Sequence, residues 1–304
     1  MENTLFFGNG LNRIGNKDHS WSEILESLKI GSGFENANMP NTLIYERILS
    51  QSTEHISLSE RSSVKEDIAQ KMKDLKPNDL YNNITNLNFS NFITTNYDDT
   101  LIKSLSDQFV VEDKSNEKLY SIRRHKVLKK NNKQEFKFWQ IHGYVNRPST
   151  IMLGYNHYCG SIGKIDSYLK GTYKGSSNKK IDDKISNSAY DNISWIELFF
   201  NSNIFIIGFS LDYSEIDIWW ILNKRERLIR ESKLRIVNKI YYYDKKIQFD
   251  PKKSSTEEVN LKIKNELTKR ELLKSFHVEV IEIDFNGNYE NLYLKILSDI
   301  QQKM

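Results

Sequence analysis

"LFFGNG", residues 5–10, drives three large apolar side chains straight into Gly8-Asn9-Gly10. Two readings compete at that junction. Glycines let backbone N–H groups come close to a phosphate, and a helix N-terminus beyond the turn adds favourable partial charge. A strand that simply ends in a tight turn also asks for glycine, wherever φ must be positive. The triplet alone does not separate them.

The pattern recurs. "NIFIIGFSL" (203–211) is an unbroken apolar run of strand length, and "EIDIWWILNKRERLIRE" (215–231) follows it with helical spacing. "NFITTNYDDTLIKSL" (91–105) is a β-branched run, a polar turn and a short amphipathic helix. Further strands are predicted at 4–8, 118–128, 136–143, 150–154, 238–244 and 277–285. Helices are predicted at 20–30, with Ser20 as its cap, and at 41–51, 60–75 and 288–302. Strands alternating with helices predict an α/β fold, a parallel sheet with helices on both faces. No linker interrupts residues 1–304, which read as a single domain. The stretch at about 30–90 is mostly helical, and about 155–200 reads as a helical or loop insertion; both are expected to form a lobe over the sheet. Ligands of such folds sit at the carboxyl ends of the strands. Three predicted strands end there in small or polar turns: Gly8-Asn9-Gly10, Thr95-Asn96-Tyr97-Asp98 and Gly208-Phe209-Ser210.

Composition narrows the classes. Hydrophobic residues make up 38% of the chain and charged residues 28%, as in a soluble globular protein. No apolar run approaches the ~18 residues of a membrane span, and "MENTLFFGNG" lacks the form of a secretory leader. The lone cysteine, Cys159, makes neither an internal disulfide nor a cysteine-rich zinc site. A cytoplasmic location is expected. The net charge of +4 is too mild to support direct nucleic-acid binding. The lysine clusters at 126–137 and 170–184 read as solvated loops.

Each turn offers its own chemistry. Arg13 stands where the common G-x-G-x-x-G fingerprint needs its third glycine. In the second turn Asp98 or Asp99 can cap the next helix, while the Asn96 amide can hold a ribose hydroxyl or a water. His142, at a strand end before Gly143, is either a structural histidine or a general base whose unperturbed pKa of about 6.5 suits the task. Gly208-Phe209-Ser210 can present N–H groups and a hydroxyl to a phosphate. As a nucleophile Ser210 is poorly placed: "GFSLD" lacks the second glycine of the G-x-S-x-G elbow, and His142 precedes the serine. His19, His55, His125, His157 and His277 show no metal-ligand spacing, and no metal is expected.

Taken in order, these motifs resemble the sirtuin superfamily, and within it the bacterial sirtuin-like branch of antiphage defence systems. "LFFGNGLNR" is similar to its phosphate-binding loop, Thr94-Thr95-Asn96-Tyr97-Asp98 to its T-x-N-x-D turn, His142-Gly143 to its His-Gly pair, and Gly208-Phe209-Ser210-Leu211 to its G-x-S-L strand end. The resemblance implies a Rossmann-like sheet and NAD+ as substrate. It places Gly8, Asn9, Gly10, Asn12, Arg13, Thr95, Gly208, Phe209 and Ser210 at the dinucleotide, and Asn96, His142 and Asp98 at the chemistry. Asn96 would position ribose and water, Asp98 would orient Asn96 or meet the carboxamide end, and His142 would accept a proton. The four zinc-binding cysteines of protein-deacylating sirtuins are missing, so no zinc module is expected. The implied activity is NAD+ glycohydrolysis that depletes NAD+ during phage infection. A protein deacylase, a catalytically idle NAD- or ADP-ribose-binding module, and an AbiH-like defence protein, which the GNG start and the late G-x-S-L strand also resemble, are the alternatives. The resemblance also implies self-association or a separately encoded sensor, such as a HerA-like ATPase or an Argonaute-type protein.

Overall fold

Leu5, Phe6 and Phe7 are all buried although successive side chains point to opposite faces of a strand, so both faces of this sheet are covered. The computed structural model describes residues 1–16, 21–27, 34–35, 39–51, 58–105, 109–114, 117–130, 134–247 and 257–304. Its strands are β1 (Glu2–Phe7), β2 (Asn91–Thr94), β3 (Phe109–Lys114), β4 (His125–Lys130), β5 (Gln134–Gln140), β6 (Ser202–Ile207), β7 (Ile240–Lys245) and β8 (Val278–Ile283). Its helices are α1 (Trp21–Ser27), α2 (Asn41–Gln51), α3 (Leu58–Lys73), α4 (Asp79–Thr85), α5 (Thr100–Lys103), α6 (Tyr155–Leu169), α7 (Ile181–Asn187), α8 (Trp195–Asn201), α9 (Ile216–Arg230), α10 (Glu257–Ser275) and α11 (Tyr289–Lys303). Ser20, His19 and His55 lie outside the described residues.

The strands form one eight-stranded sheet in the order β3-β4-β5-β2-β1-β6-β7-β8. From β5 to β8 every neighbouring pair is parallel. The β3–β4 hairpin joins antiparallel on the β5 edge. This is the α/β, Rossmann-like arrangement the alternation predicts. The register sets two core faces. Phe6, Ile93, Trp139 and Ile206 face a layer built from α6, α8 and α9, while Leu5, Phe92, Phe138 and Phe205 face α4 and α11. A third core joins Ile44, Tyr45 and Ile48 of α2 to Ile68 and Met72 of α3, and packs them on Tyr97, Val145, Ile151 and Leu153. Those last four residues belong to the loops after β2 and β5, so this helical unit braces the strand ends where Asn96 and His142 sit.

Two expectations are corrected. Residues 155–200 are not an insertion over the sheet: Ile165, Tyr168 and Leu169 of α6, and Trp195, Ile196 and Phe199 of α8, are core against it. They form the crossover that carries the chain from β5 past β2 and β1 to β6. Residues 150–154 are not a strand but the end of a 3₁₀ turn (Pro148–Thr150) and an unpaired extended stretch. Ile151, Met152 and Leu153 are apolar because they are buried, and the Met152 N–H donates to the His142 carbonyl at 2.9 Å.

Candidate active site at the switch of strand order

The chain leaves β1 toward β2 on one side and returns to β6 on the other, so strand order switches between β1 and β6. That is where open α/β sheets place ligands. A cavity of about 390 Å³ opens there. Asn9, Gly10, Arg13, Thr95, Asn96, His142, Gly208, Phe209 and Ser210 line it, joined by Tyr158, Asp212 and Glu215. Of the residues singled out in the sequence, Gly8, Asn12 and Asp98 are not on this wall.

The glycines act by close approach. The Gly8 N–H donates to the Ile207 carbonyl at 3.1 Å and the Gly10 N–H to the Gly208 carbonyl at 2.8 Å. These two amides are therefore spent on β6 and are not held for a phosphate, and neither residue has positive φ. A Cβ on Gly8 would lie 2.7 Å from the Gly208 carbonyl oxygen. A Cβ on Gly10 would lie 2.7 Å from the same oxygen and 2.5 Å from the Tyr293 hydroxyl. Gly208 itself has φ +57°, a conformation that favours glycine. Arg13, exposed on the cavity wall, makes no ion pair among the described residues and is a fixed cation there.

Behind the wall, Asn12 and Asp98 form a strut. The Asn12 amide donates to Asp98 Oδ2 at 2.8 Å, the Tyr81 hydroxyl donates to Asn12 Oδ1, and the Thr100 N–H donates to Asp98 Oδ1 at 2.9 Å. Burial raises the Asp98 carboxyl above its ordinary value despite these bonds. Asp98 thus accepts from the first N–H of α5 and anchors the first turn; both carboxylate oxygens are hydrogen-bonded, and the residue does not line the cavity. Asn96 is different. Its N–H donates to Thr94 Oγ1 at 3.0 Å, yet its side-chain amide nitrogen is buried with no hydrogen-bond partner. An unsatisfied buried donor costs about 1–3 kcal/mol, so a wall residue that keeps one invites an acceptor from the cavity.

His142 sits where the chain turns sharply off β5. Gly143 follows with φ +103°, and a Cβ there would lie 2.4 Å from the Thr150 carbonyl oxygen. The imidazole is almost fully buried. Its Nε2–H donates to Asp217 Oδ2 at 3.0 Å, and its Nδ1 lies 3.6 Å from Glu215 Oε2. Asp217 also accepts from the Ser161 hydroxyl at 3.2 Å and the Ile218 N–H at 2.9 Å. The Tyr158 hydroxyl donates to Glu215 Oε2 at 3.1 Å. Burial alone would lower the imidazole pKa, but the Asp217 charge, its hydrogen bond and Glu215 together raise it. Burial pushes the Glu215 carboxyl up to about 7; Asp217 and Asp212 add to the rise, and His142 and Tyr158 oppose it.

Sequence reasoning passed over Glu215, Asp217 and Tyr158. The available signal was the pair of carboxylates in "DYSEID", just beyond the Gly208-Phe209-Ser210 turn. His142, Glu215 and Asp217 also bring metal-ligating atoms within 4.8 Å of one another, a grouping that linear spacing does not reveal. A second cavity of about 260 Å³ shares Gly208, Phe209 and Ser210 with the first and runs along the end of β7 between α10 and α11, past Tyr242, Lys245, Lys269 and Tyr293.

A parallel α/β sheet with adjoining cavities at its switch point, joined through a glycine turn, has the architecture of a dinucleotide-binding protein. Residues 90–265, more than half of the chain, match the SIR2-like domain family, and the chain belongs to that family. The matched region contains Asn96, His142, Glu215 and Asp217. A comparison with curated proteins finds no match. SIR2-like domains use NAD+ as substrate, so NAD-dependent enzyme chemistry is the general assignment. No helix among the described residues is long and apolar enough to cross a membrane.

Proposed function

We propose that the protein is an NAD+ glycohydrolase that depletes NAD+ during phage infection. The observation that carries this reading is the buried, unpartnered Asn96 amide on the same wall as His142. A donor that cannot titrate beside a group that can is what ribose orientation and proton transfer require. The joined cavities suit the two nucleoside halves, with Arg13 and the Gly208–Ser210 turn at the pyrophosphate.

Cleavage sends the bonding pair of the nicotinamide–ribose bond to the nicotinamide nitrogen and leaves an oxocarbenium-like ribose. Water adds at C1′ and gives up a proton. Asn96 holds the ribose and the water in line, and His142 belongs to the group that receives the proton. Hydrolysis is preferred over deacylation because the chain has one cysteine, too few for the zinc module of the deacylating relatives. An unrestrained activity of this kind is toxic, so self-association or a separately encoded sensor, HerA-like or Argonaute-type, is proposed to hold it in check.

Purified protein incubated with NAD+, with and without an acyl-lysine peptide, tests the reading. Nicotinamide and ADP-ribose should appear in equal amounts without peptide. Nicotinamide release only with peptide would make it a deacylase, and binding without turnover would make it an idle module.

A further inference from the structure

We infer that Glu215 takes the proton at the cavity wall, with His142 behind it as proton store and Asp217 as the positioning residue that fixes the imidazole. The inference rests on the NAD-cleaving reading above and assigns its chemistry to a residue outside the quoted family motifs.

Access is the first ground. The side chains of His142 and Asp217 are 2% and 0% exposed, whereas that of Glu215 is 17% exposed and lines the cavity. Hydrogen bonding is the second. Nε2–H is committed to Asp217, which leaves Nδ1 as the only ring nitrogen for proton exchange, 3.6 Å from Glu215 Oε2. A bare Nδ1 facing an ionised carboxylate sets lone pair against charge, and one proton held between them removes the conflict. Asp217, already accepting from His142, Ser161 and Ile218, has no such role. The Tyr158 hydroxyl sets the Glu215 carboxylate in place.

The step balances without a co-reactant. The C1′–N bond breaks with its pair on nicotinamide, a C1′–O bond forms from water, and the water proton passes to the Glu215 carboxylate. It then moves to His142 Nδ1 or out to solvent, giving one proton released per NAD+. The charged and titratable groups that act on Glu215 are His142, Asp217, Tyr158 and Asp212, and it in turn acts on Tyr97. The base must be ionised, and burial holds this carboxyl at about 7, so the rate should rise with pH through about 7.

The test is single-turnover nicotinamide release by the full chain, with protein in excess of NAD+, alongside calorimetric NAD+ binding and melting. Glu215→Gln should stay folded, bind NAD+ within about threefold of the unmutated chain, lose roughly 10²–10⁴-fold in release and lose the pH limb. Glu215→Asp should recover part of the rate. Asp217→Asn removes a charge that raises Glu215, so its limb should move to lower pH, which a purely structural role would not produce. A folded Glu215→Gln variant with release within about threefold and the limb intact would overturn the assignment. So would loss of activity with EDTA restored by one divalent ion, since the cluster would then be a metal site. If the unmutated chain binds NAD+ and releases no nicotinamide, the NAD-cleaving reading fails, and this inference fails with it.

Discussion

Lys184 of α7 and His142 at the turn after β5 are both buried, each among carboxylates and a tyrosine, and they differ in how their hydrogen bonds close. The Lys184 ammonium, fully buried, donates to Asp191 Oδ2 at 2.8 Å, Glu197 Oε1 at 3.1 Å and the Tyr168 hydroxyl at 3.1 Å. All three of its donors are used. Glu197 accepts two further N–H groups, from Asp191 at 3.0 Å and Asn192 at 2.6 Å. Burial would raise the Asp191 carboxyl, but the bonds from Lys184 and Ser177 outweigh it and hold the group below its ordinary value. Around His142 the sum is different: burial pushes Glu215 up to about 7, and its Oε2 lies 3.6 Å from His142 Nδ1 beside a cavity, with no hydrogen bond closing that gap. A closed cluster pins α6, α7 and α8 together. An open one, short of a partner and facing a ligand space, is poised for chemistry.

Variants can break this contrast. Lys184→Met should produce the largest loss of stability, about 3–5 kcal/mol, because it strands the buried Glu197 carboxylate and leaves the part-buried Asp191 without its cation. Chemical denaturation measures it, and the fraction that remains folded should release nicotinamide at the unmutated rate. Asn96→Ala should do the reverse. It removes a donor with no internal partner, so melting should hold or rise, while turnover falls on the order of 10²-fold with affinity little changed. Normal turnover with lowered melting would make Asn96 structural. Gly10→Ala should cost about 1–3 kcal/mol, less than Lys184→Met, since its methyl would displace the Gly208 carbonyl and the Tyr293 hydroxyl. Its NAD+ affinity, measured by calorimetry, should fall as the first turn is pushed off β6.

The contrast also explains what the sequence discloses. Apolar runs that end in small or polar residues mark the carboxyl ends of β1, β2 and β6, and the cavity is at those ends. Asn96 and His142 are legible because each follows such a run directly. The carboxylates are not. Glu215 and Asp217 look like the solvated start of a helix, and they become a buried site only because α6 supplies Tyr158 and Ser161 from a stretch that reads as an insertion. The strut between Asp98 and Asn12 is hidden for the same reason, since the two residues lie 86 apart in the chain. The glycine turn shows the limit of local rules most clearly, since what excludes a side chain at Gly8 and Gly10 is the backbone of Gly208, brought in by the sheet rather than by the turn.

The most direct measurement compares His142→Gln with the unmutated chain in single-turnover nicotinamide release, with melting recorded on the same samples. Glutamine keeps a donor for Asp217 and removes the ring nitrogen facing Glu215. Release should drop about 10²–10⁴-fold in a protein that melts near the unmutated temperature and still binds NAD+. A folded, NAD+-binding His142→Gln protein that releases nicotinamide at the unmutated rate would contradict the claim that this open cluster carries the chemistry.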